Sequence, residues 1–332
     1  MMTVSIGIVA LNEEEYLPSL LENIEDQTYP HENIEVLLID SGSHDKTKDI
    51  MNNFKMKAAY FRNIEVLDNP KKKQASGWNI AIQNFLGDIL IRIDAHSEIP
   101  KDFIEKNVKL IESGEYIAGG LRPCKIINEN AWTRTLLQAE NSMFGSSINA
   151  CRRSKTKKYV KTMFHAAYRR EVFEKVGKFN ENLGRTEDNE LHWRMRKAGY
   201  KFCFAPDIIS YQYARSGLKK MLKQKYENGY WIGLTVGVCP KCLSVFYFIP
   251  FCFVMALFVS LLCFFMGTKC ILSVLLTVYG AVTILMSFLT IVQNGFTKFS
   301  ILLPVLFFLL HCSYGIGTLL GIGELLKKRN KS

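Results

Sequence analysis

The chain has 332 residues, a formal net charge of +11 and a hydrophobic fraction of 48%. Its length fits two domains, or one domain with an appendage. The positive charge favours contact with an anionic surface or with phosphate-bearing ligands. We predict no nucleic-acid partner, because no recognised nucleic-acid-binding module accompanies the charge.

The apolar residues are unevenly distributed along the chain. Up to about Cys242 the sequence alternates apolar and charged residues, as a soluble protein does. From Leu243 to Gly323 the only charged residues are Lys269 and Lys298. Most of the cysteines lie in or beside this apolar part, and the first apolar run, Val4–Leu11, is shorter than a signal peptide and has no basic residues before it. We therefore expect reduced thiols and a cytosolic first domain.

Strands and helices alternate in the first hundred residues. Helical patterns separate the predicted strands, as in the stripe formed by Leu17, Leu20, Leu21 and Ile24, and in residues 76–86. This alternation predicts a parallel sheet with right-handed crossovers. Both G-x-G-x-x-G and the P-loop are missing, which counts against dehydrogenases and kinases. The strands are predicted at Val4–Leu11, Glu35–Asp40, Ile64–Leu67 and Ile89–Ile93.

Regularity decreases beyond Pro100. Helices are predicted at residues 103–111, at 169–176 before Gly177, and from Glu187 to Gly199. The pair Gly119-Gly120 is expected to begin a long irregular region. That region contains the basic stretch 152–158, which is read as a solvated loop, with lipid phosphate contact as a second reading.

The last third of the sequence predicts a membrane region. Leu218, Met221, Leu222 and Tyr226 form an apolar stripe among lysines, so residues 218–242 are expected to lie in the membrane interface. An ordinary surface helix is an equally good reading of that stripe. Three segments, 243–267, 270–292 and 299–323, have the length of membrane spans. Residues 324–332 form a basic tail, and three crossings would place it outside, against the positive-inside tendency. The number and orientation of the spans stay open.

Acidic and basic side chains follow the predicted strands. Asp94 and His96 are two residues apart, so they share a face in extended chain and could both point into the crevice where α/β sheets bind ligands. A divalent cation that bridges nucleotide phosphates needs few protein ligands. The motif alone favours the simpler reading, an ordinary strand that ends in polar turn residues. The order of the other segments favours the cation.

Other polar residues near the predicted strand and helix ends could bind a ligand or could serve only the local structure. Asp40 closes the second strand, where its carboxylate could accept hydrogen bonds from a base or a ribose. Asp45 could instead interact with a helix dipole. Lys73 precedes a helix and suits phosphate oxygens, or it is part of a solvated lysine run. Glu187-Asp188 begins a helix, which the two side chains could simply cap.

Four blocks in order resemble the family 2 glycosyltransferases of the GT-A fold, and the apolar tail resembles the succinoglycan-type branch of that family. The resemblance implies an α/β fold with a GT-A-type, nucleotide-binding, mostly parallel sheet over residues 1–217. It also implies helices on both faces of that sheet and C-terminal transmembrane helices over 243–323. The blocks are Ala10-Leu-Asn12-Glu13, Asp40-Ser-Gly-Ser-His-Asp45-Lys-Thr, Asp94-Ala-His96 and Glu187-Asp188.

The resemblance also implies roles for individual residues. Asp188 would be the general base, with Glu187 beside it as a second catalytic residue. Asp94 and His96 would hold a divalent cation, and the imidazole suits Mn²⁺ better than a pure oxygen set does, while Mg²⁺ stays open. Residues expected to bind the donor are Asn12, Glu13, Asp40, Ser41, Asp45, Lys73 and Asp94. Residues expected to bind the acceptor are Trp193, Gln224 and Trp231.

The reaction implied is an inverting transfer of one sugar from a nucleotide-sugar, expected to be UDP-linked, to a lipid-linked saccharide in cell-surface polysaccharide biosynthesis. The protein would be a multi-pass plasma-membrane enzyme with a cytoplasmic catalytic domain, and other polysaccharide-assembly enzymes are candidate partners. Gln224 is not followed by the x-x-Arg-Trp of processive synthases, which counts against polymerisation. The alternatives are a polyprenyl-phosphate sugar synthase and a non-catalytic membrane scaffold that binds nucleotide-sugar.

Overall fold

The computed structural model describes residues 1–126, 128–145, 155–214 and 217–329, with the backbone alone for 328 and 329. Part of the predicted basic loop (152–154) and the end of the basic tail (330–332) lie outside the described residues. The chain forms two compact units. The first is Met1–Lys125 with Asn149–Tyr213, and the second is Ile126–Ile148 with Ala214–Ser332.

The elements follow the predicted alternation in the first hundred residues and continue it beyond them. The strands are β1 (Val4–Ala10), β2 (Ile34–Asp40), β3 (Asn63–Asp68), β4 (Ile89–Asp94), β5 (Ser97–Glu98), β6 (Ile117–Leu121), β7 (Cys124–Lys125), β8 (Lys158–Val160), β9 (Ala167–Arg169), β10 (Phe202–Ile209) and β11 (Tyr211–Tyr213). The helices are α1 (Leu17–Glu25), α2 (Thr47–Lys57), α3 (Gln74–Asn84), α4 (Phe103–Glu112), α5 (Ala131–Asn141), α6 (Arg170–Val176), α7 (Glu187–Lys197), α8 (Leu218–Thr235), α9 (Ile249–Phe265), α10 (Lys269–Asn294) and α11 (Leu303–Arg329).

The first unit is built on a mostly parallel sheet. Among the described residues its strand order is β3-β2-β1-β4-β9-β6-β10-β8. Strands β1 to β4 are mutually parallel, and β10 is parallel to β6. Strand β9 is antiparallel to its two neighbours, β4 and β6. Strand β8 is antiparallel to β10. A second, small sheet has the order β5-β11-β7. The predicted α/β fold with a mostly parallel sheet is confirmed.

Helices cover both faces of this sheet. On one face Ile6 and Ile8 of β1 pack in a cluster that includes Leu17 of α1 and Ile104 of α4. On the other face Leu37 and Ile39 of β2 and Leu90 of β4 share a cluster with Trp78 of α3 and Leu191 of α7. Burial on both faces explains why β1, β2 and β4 read as nearly continuous apolar runs.

The expectation of an irregular region from Gly119-Gly120 is wrong. Both glycines lie inside β6, which runs between β9 and β10. A β-carbon on Gly120 would lie 2.0 Å from the backbone oxygen of Ile208, so glycine permits the close approach of β10. Sequence patterning missed β6 because its glycines have no side chains that could alternate between the faces.

The second unit consists of helices. Within the part of the chain that the structure describes, three stretches are long and apolar enough to cross a membrane, namely Val245–Phe265, Lys269–Asn294 and Ser300–Lys327. Helix α5, which lies within the predicted domain 1–217, is grouped with this unit. Buried Leu136 of α5, Met221 of α8 and Phe307 of α11 belong to one apolar cluster.

Helices α8 and α11 pack closely through glycines. A β-carbon on Gly229 would lie 2.0 Å from the backbone oxygen of Tyr314, and one on Gly321 would lie 2.1 Å from that of Tyr230. Small residues spaced by four allow such an approach of two helix backbones, a common arrangement in membranes. Lys225 of α8 is only 5% exposed and lies 3.3 Å from the carboxylate of Glu140. One lysine of the predicted basic helix is therefore buried in an ion pair.

Candidate active site

The carboxyl ends of the parallel strands carry a connected set of polar groups. Asp40, the last residue of β2, accepts hydrogen bonds from the backbone N–H groups of Gly42 and Ser43, each at 3.2 Å. The backbone N–H of Ser41 donates to the carbonyl of Ala10. The hydroxyl of Ser41 accepts from the amide of Asn69, which follows β3. Asp40 and Ser41, both predicted to bind the nucleotide-sugar donor, thus lie where three strands end.

The loops after β1 and β2 are bonded to each other. Asn12, with a left-handed φ of 55°, accepts from the backbone N–H of His44. Asp45 accepts from the backbone N–H groups of Glu14 and Thr47. Burial raises the pKa of Asp45, but these hydrogen bonds lower it below its ordinary value. Asn12 and Asp45, both predicted to contact the donor, shape the loop that would receive it.

The three lysines before α3 have different positions. Lys73 donates to the backbone oxygen of Glu181 at 3.1 Å, and Lys71 pairs with the carboxylate of the same residue at 2.6 Å. Lys72 has a φ of 55°, and its side chain lies over Gly42, where a β-carbon would meet it at 2.7 Å. Lys72 therefore lies over the loop that follows Asp40. The sequence could not separate it from two identical neighbours.

Asp94 ends β4 amid three nitrogen-bearing side chains. Its Oδ2 lies 3.3 Å from Nε2 of His165 and 3.7 Å from the guanidinium of Arg122. The other carboxylate oxygen of Asp94, Oδ1, lies 4.0 Å from the guanidinium of Arg92. Burial raises the pKa of Asp94, but the hydrogen bond from His165 and the charge of Arg92 lower it well below its usual range. Asp94 is therefore an ionised, largely enclosed carboxylate.

His165 holds Asp94 from a strained backbone position. Its φ is 46°, which is uncommon for a residue with a side chain. Burial lowers its pKa, so the ring is neutral. Because an ionised Asp94 can only accept, Nε2 carries the proton and Nδ1 accepts from the hydroxyl of Ser210 at 2.8 Å.

His96 lies in the turn after β4 and has its own partners. Its Nδ1 is 3.2 Å from Oε1 of Glu13, and its Nε2 is 2.9 Å from the side-chain amide of Gln212. With the amide NH₂ donating to Nε2, Nδ1–H donates to Glu13. Glu13, predicted to bind the donor, thus orients the imidazole of His96.

The carboxylate of Asp188 lies in the first turn of α7 and pairs with the guanidinium of Arg92. Arg92 is 8% exposed and stacks on Trp78, with 4.4 Å from its guanidinium carbon to the ring centroid. Burial lowers the pKa of Arg92, but the charges of Asp188 and Asp94 raise it, so it is always charged. Both predicted carboxylates, Asp94 and Asp188, therefore border one guanidinium.

Glu187 is a buried acid beside Asp188. It is 3% exposed, and within the described part of the chain its Oε2 has no hydrogen-bond partner. Burial and the charge of Asp188 raise the pKa of Glu187 to about 8. Glu187 is therefore uncharged near neutrality, unlike a general base.

The predicted acceptor residues lie in both units. Trp193 is partly buried on α7, with the ammonium of Lys197 5.3 Å from its ring centroid. Gln224 and Trp231 lie on α8 in the second unit, both partly buried. Trp231 packs edge-to-face against Tyr230 at 6.2 Å between ring centroids.

Carboxylate and imidazole, the groups of Asp94 and His96, are ligand types that suit a divalent cation. In this structure Nε2 of His96 accepts from the side-chain amide of Gln212, so that amide would have to give way to the cation. Among the described residues no group of three or more His, Cys, Asp or Glu side chains is placed to hold a metal ion. A cation bound chiefly through phosphates and water needs fewer protein ligands than that. Metal-binding histidines typically donate their other ring N–H to a carboxylate or a carbonyl, as His96 does to Glu13.

Sequence reasoning did not select four residues of this site, which are Arg92, Arg122, His165 and Gln212. Arg92 alone had a signal, because an arginine inside an otherwise apolar strand must have a buried partner. His165 and Gln212 reach the site from distant segments and carry no local motif.

The sheet and the polar groups at its carboxyl edge define a nucleotide-binding α/β domain of the GT-A type. The chain belongs to glycosyl transferase family 2, whose family model matches residues 5–177.

Two curated relatives support this assignment, and one solved structure is similar in fold. A dolichyl N-acetyl-alpha-D-glucosaminyl phosphate 3-beta-D-2,3-diacetamido-2,3-dideoxy-beta-D-glucuronosyltransferase from Methanococcus voltae is 30% identical, covering 94% of this chain and 95% of the relative. The succinoglycan biosynthesis protein ExoA of Rhizobium meliloti is 29% identical, covering 68% of this chain and 67% of the relative. A mannosyltransferase from Pyrobaculum calidifontis, solved with GDP-Man and Mn²⁺, is similar in fold, with a TM-score of 0.60, 16% identity and coverage of 96% and 87%.

Proposed function

We propose that this protein is a membrane-bound, inverting glycosyltransferase. It moves one sugar from a nucleotide-sugar, which we take to be UDP-linked, to a saccharide carried on a lipid phosphate in cell-surface polysaccharide biosynthesis. The observation that carries the proposal is that Asp94 and Asp188, far apart in sequence, border the same guanidinium of Arg92. The Methanococcus voltae relative, named for a lipid-linked sugar phosphate, supports the class of acceptor.

The donor would lie along the carboxyl edge of the sheet. Asp40 and the linked loops after β1 and β2 would receive the nucleoside, and the ammonium groups of Lys72 and Lys73 would meet the diphosphate. A divalent cation held by Asp94 and His96 would stabilise the charge that develops on the departing nucleoside diphosphate. Glu13 would keep the imidazole of His96 in the orientation that this requires.

Asp188 would take the proton from the acceptor hydroxyl. Glu187 is uncharged near neutrality, so of this pair of neighbouring acids Asp188 is the candidate base. One base and a metal-held leaving group correspond to direct displacement, which inverts the configuration at the sugar carbon. Because Glu187 does not act as a second ionised carboxylate, a retaining two-carboxylate route is not favoured.

The second unit would anchor the enzyme at the membrane. Three helices of sufficient length and the exposed lysines at 219, 220 and 223 of α8 support binding to an anionic bilayer surface. We propose a multi-pass plasma-membrane protein with a cytoplasmic catalytic unit, where a lipid-linked acceptor would be presented.

The test is transfer by the purified full-length chain in detergent or nanodiscs. A panel of UDP-, GDP- and dTDP-sugars would be offered with polyprenyl phosphate, with polyprenyl-phosphate sugar and with no lipid, in the presence of Mn²⁺. We expect a lipid product heavier by one sugar only with the saccharide-bearing lipid. Anomeric NMR of that product would check inversion.

The other outcomes identify the alternatives. Growth of the bare lipid phosphate by one sugar would indicate a polyprenyl-phosphate sugar synthase. Donor binding without release of nucleoside diphosphate with any acceptor would indicate a non-catalytic scaffold. Repeated additions to a single lipid would contradict single-sugar transfer.

A further inference from the structure

We propose that Arg92 is a positioning residue that holds the carboxylate of Asp188 ready for the acceptor hydroxyl. This inference rests on the proposed function. It adds a residue that lies outside the four sequence blocks that resemble family 2 glycosyltransferases. Arg92 lies on β4 two residues before Asp94, on the same face of the strand. Its guanidinium pairs with Asp188 and lies 4.0 Å from Asp94.

Aromatic rings fix the orientation of Arg92. Its guanidinium carbon lies 4.4 Å from the ring centroid of Trp78 and 5.5 Å from that of Phe179. Both rings belong to the apolar cluster on one face of the sheet. A planar guanidinium stacked on a fixed ring has little freedom to rotate, so the direction of its N–H groups is set by the fold.

The geometry connects the two halves of the reaction. One edge of the planar group faces Asp94, on the side of the proposed cation and donor, and the other edge binds Asp188, on the side of the proposed base. A displacement reaction is sensitive to the distance between its two reacting partners. Arg92 would keep the two carboxylates at a fixed separation, which a lysine, as a point charge on a flexible stem, cannot do equally well.

If Arg92 served only to fill space against the two aromatic rings, its variants would rank in the opposite order of activity. Arg92→Met would pack on Trp78 and Phe179 at least as well as Arg92→Lys, since methionine is apolar and adaptable. If Arg92 positions Asp188, the lysine variant keeps part of the ion pair and is the more active of the two. The matched control is Arg170→Lys, because Arg170 also stacks on an aromatic ring, Phe85, at 4.2 Å, and donates to the backbone oxygens of Phe85 and Gly87.

The experiment measures kcat and the donor KM of the full-length chain in the transfer assay, UDP affinity in the presence of Mn²⁺ by calorimetry, and the thermal midpoint of each variant. We expect kcat to fall roughly tenfold in Arg92→Lys and a hundredfold or more in Arg92→Met, consistent with loss of general-base positioning. The donor KM and the UDP affinity should stay within threefold of wild type, and Arg170→Lys should keep its kcat.

Three results would overturn the positioning role. They are a kcat within threefold of wild type in Arg92→Met, equal or higher activity of the methionine than of the lysine variant, and a UDP affinity that falls in parallel with kcat. The last result would make Arg92 a donor-site residue. Absence of transfer by the wild-type chain would instead count against the proposed function, so the two failures are distinct.

Discussion

Arg92 and Asp188 form a largely buried ion pair between β4 and the first turn of α7, although they are 96 residues apart in sequence. The pair joins the strand that carries Asp94 to the helix that carries the proposed base. Catalysis, metal use and the pH dependence of stability should all depend on the groups around this pair. The packing of the membrane-length helices depends on the second unit.

Replacement of the proposed base should stop the reaction while the donor still binds. In Asp188→Asn we expect kcat to fall by about 10²–10⁴-fold, because the amide cannot accept the proton. UDP affinity should change little. Asp207→Asn, at an exposed carboxylate of β10, is the control and should transfer normally. Normal turnover in Asp188→Asn would remove Asp188 from the role of base.

Chelation should abolish transfer, and Mn²⁺ or Mg²⁺ should restore it. Asp94→Asn removes the proposed ligand charge and should weaken Mn²⁺-dependent UDP binding by about tenfold or more, with little effect on binding measured in EDTA. Calorimetry with and without Mn²⁺ measures both quantities. Asp68→Asn, at an exposed carboxylate paired with Lys48, should behave as wild type. Unchanged transfer in EDTA would argue against a required cation.

Glu13→Gln should lower metal affinity without a direct contact to the metal. The variant weakens the hydrogen bond that orients His96, and loss of such a partner typically costs about 10–100-fold in metal affinity. Titration of Mn²⁺ by electron paramagnetic resonance in the presence of UDP would measure the change. Glu15→Gln, at an exposed neighbour in the same loop, is the control. An equal Mn²⁺ affinity in both variants would show that Glu13 does not orient a ligand.

Glu187 should make the protein less stable as the pH rises. Its pKa is raised from 4.5 to about 8 in the folded chain, so between these values the folded state holds a proton that the unfolded state has lost. The free energy of unfolding then falls with increasing pH, by at most about 1.4 kcal/mol per pH unit for this one group.

The variant Glu187→Gln has no such proton to lose. The decrease of its thermal midpoint from pH 5.5 to pH 8 should therefore be smaller than in the wild type. Glu171→Gln, at an exposed position of α6, should keep the wild-type slope. Equal slopes in the wild type and Glu187→Gln would mean that Glu187 is ionised in the folded protein.

The glycine contacts between α8 and α11 should tolerate no β-carbon. In Gly229→Ala the new methyl group would lie 2.0 Å from the backbone oxygen of Tyr314, and overpacking of this kind typically costs about 1–3 kcal/mol. Gly280→Ala in α10 meets no atom within 4 Å and gains helix propensity. The thermal midpoints in detergent should shift downwards for Gly229→Ala and stay equal or rise for Gly280→Ala. A stable Gly229→Ala would mean that the two helices can separate.

The parallel first half of the sheet, the family and the membrane-length helices could all be predicted from local patterns in the sequence. Strands β1, β2 and β4 are apolar runs bounded by polar turns. The membrane-length helices can be recognised without any contact information, because the apolar tail has only two charged residues. The motif order also selected Asp94 and Asp188, because residues that end strands or begin helices are marked by a change in pattern.

The contacts between groups that are distant in sequence depend on the folded chain and could not be predicted from local patterns. Arg92, His165 and Gln212 come from β4, from a left-handed turn and from β11, and no local period encodes contacts over such separations. The same holds for Lys72 among three lysines, for β6 with its paired glycines and for the buried lysine at position 225. In each case long-range packing fixes the side chain, while the pattern of near neighbours in sequence records only the local element.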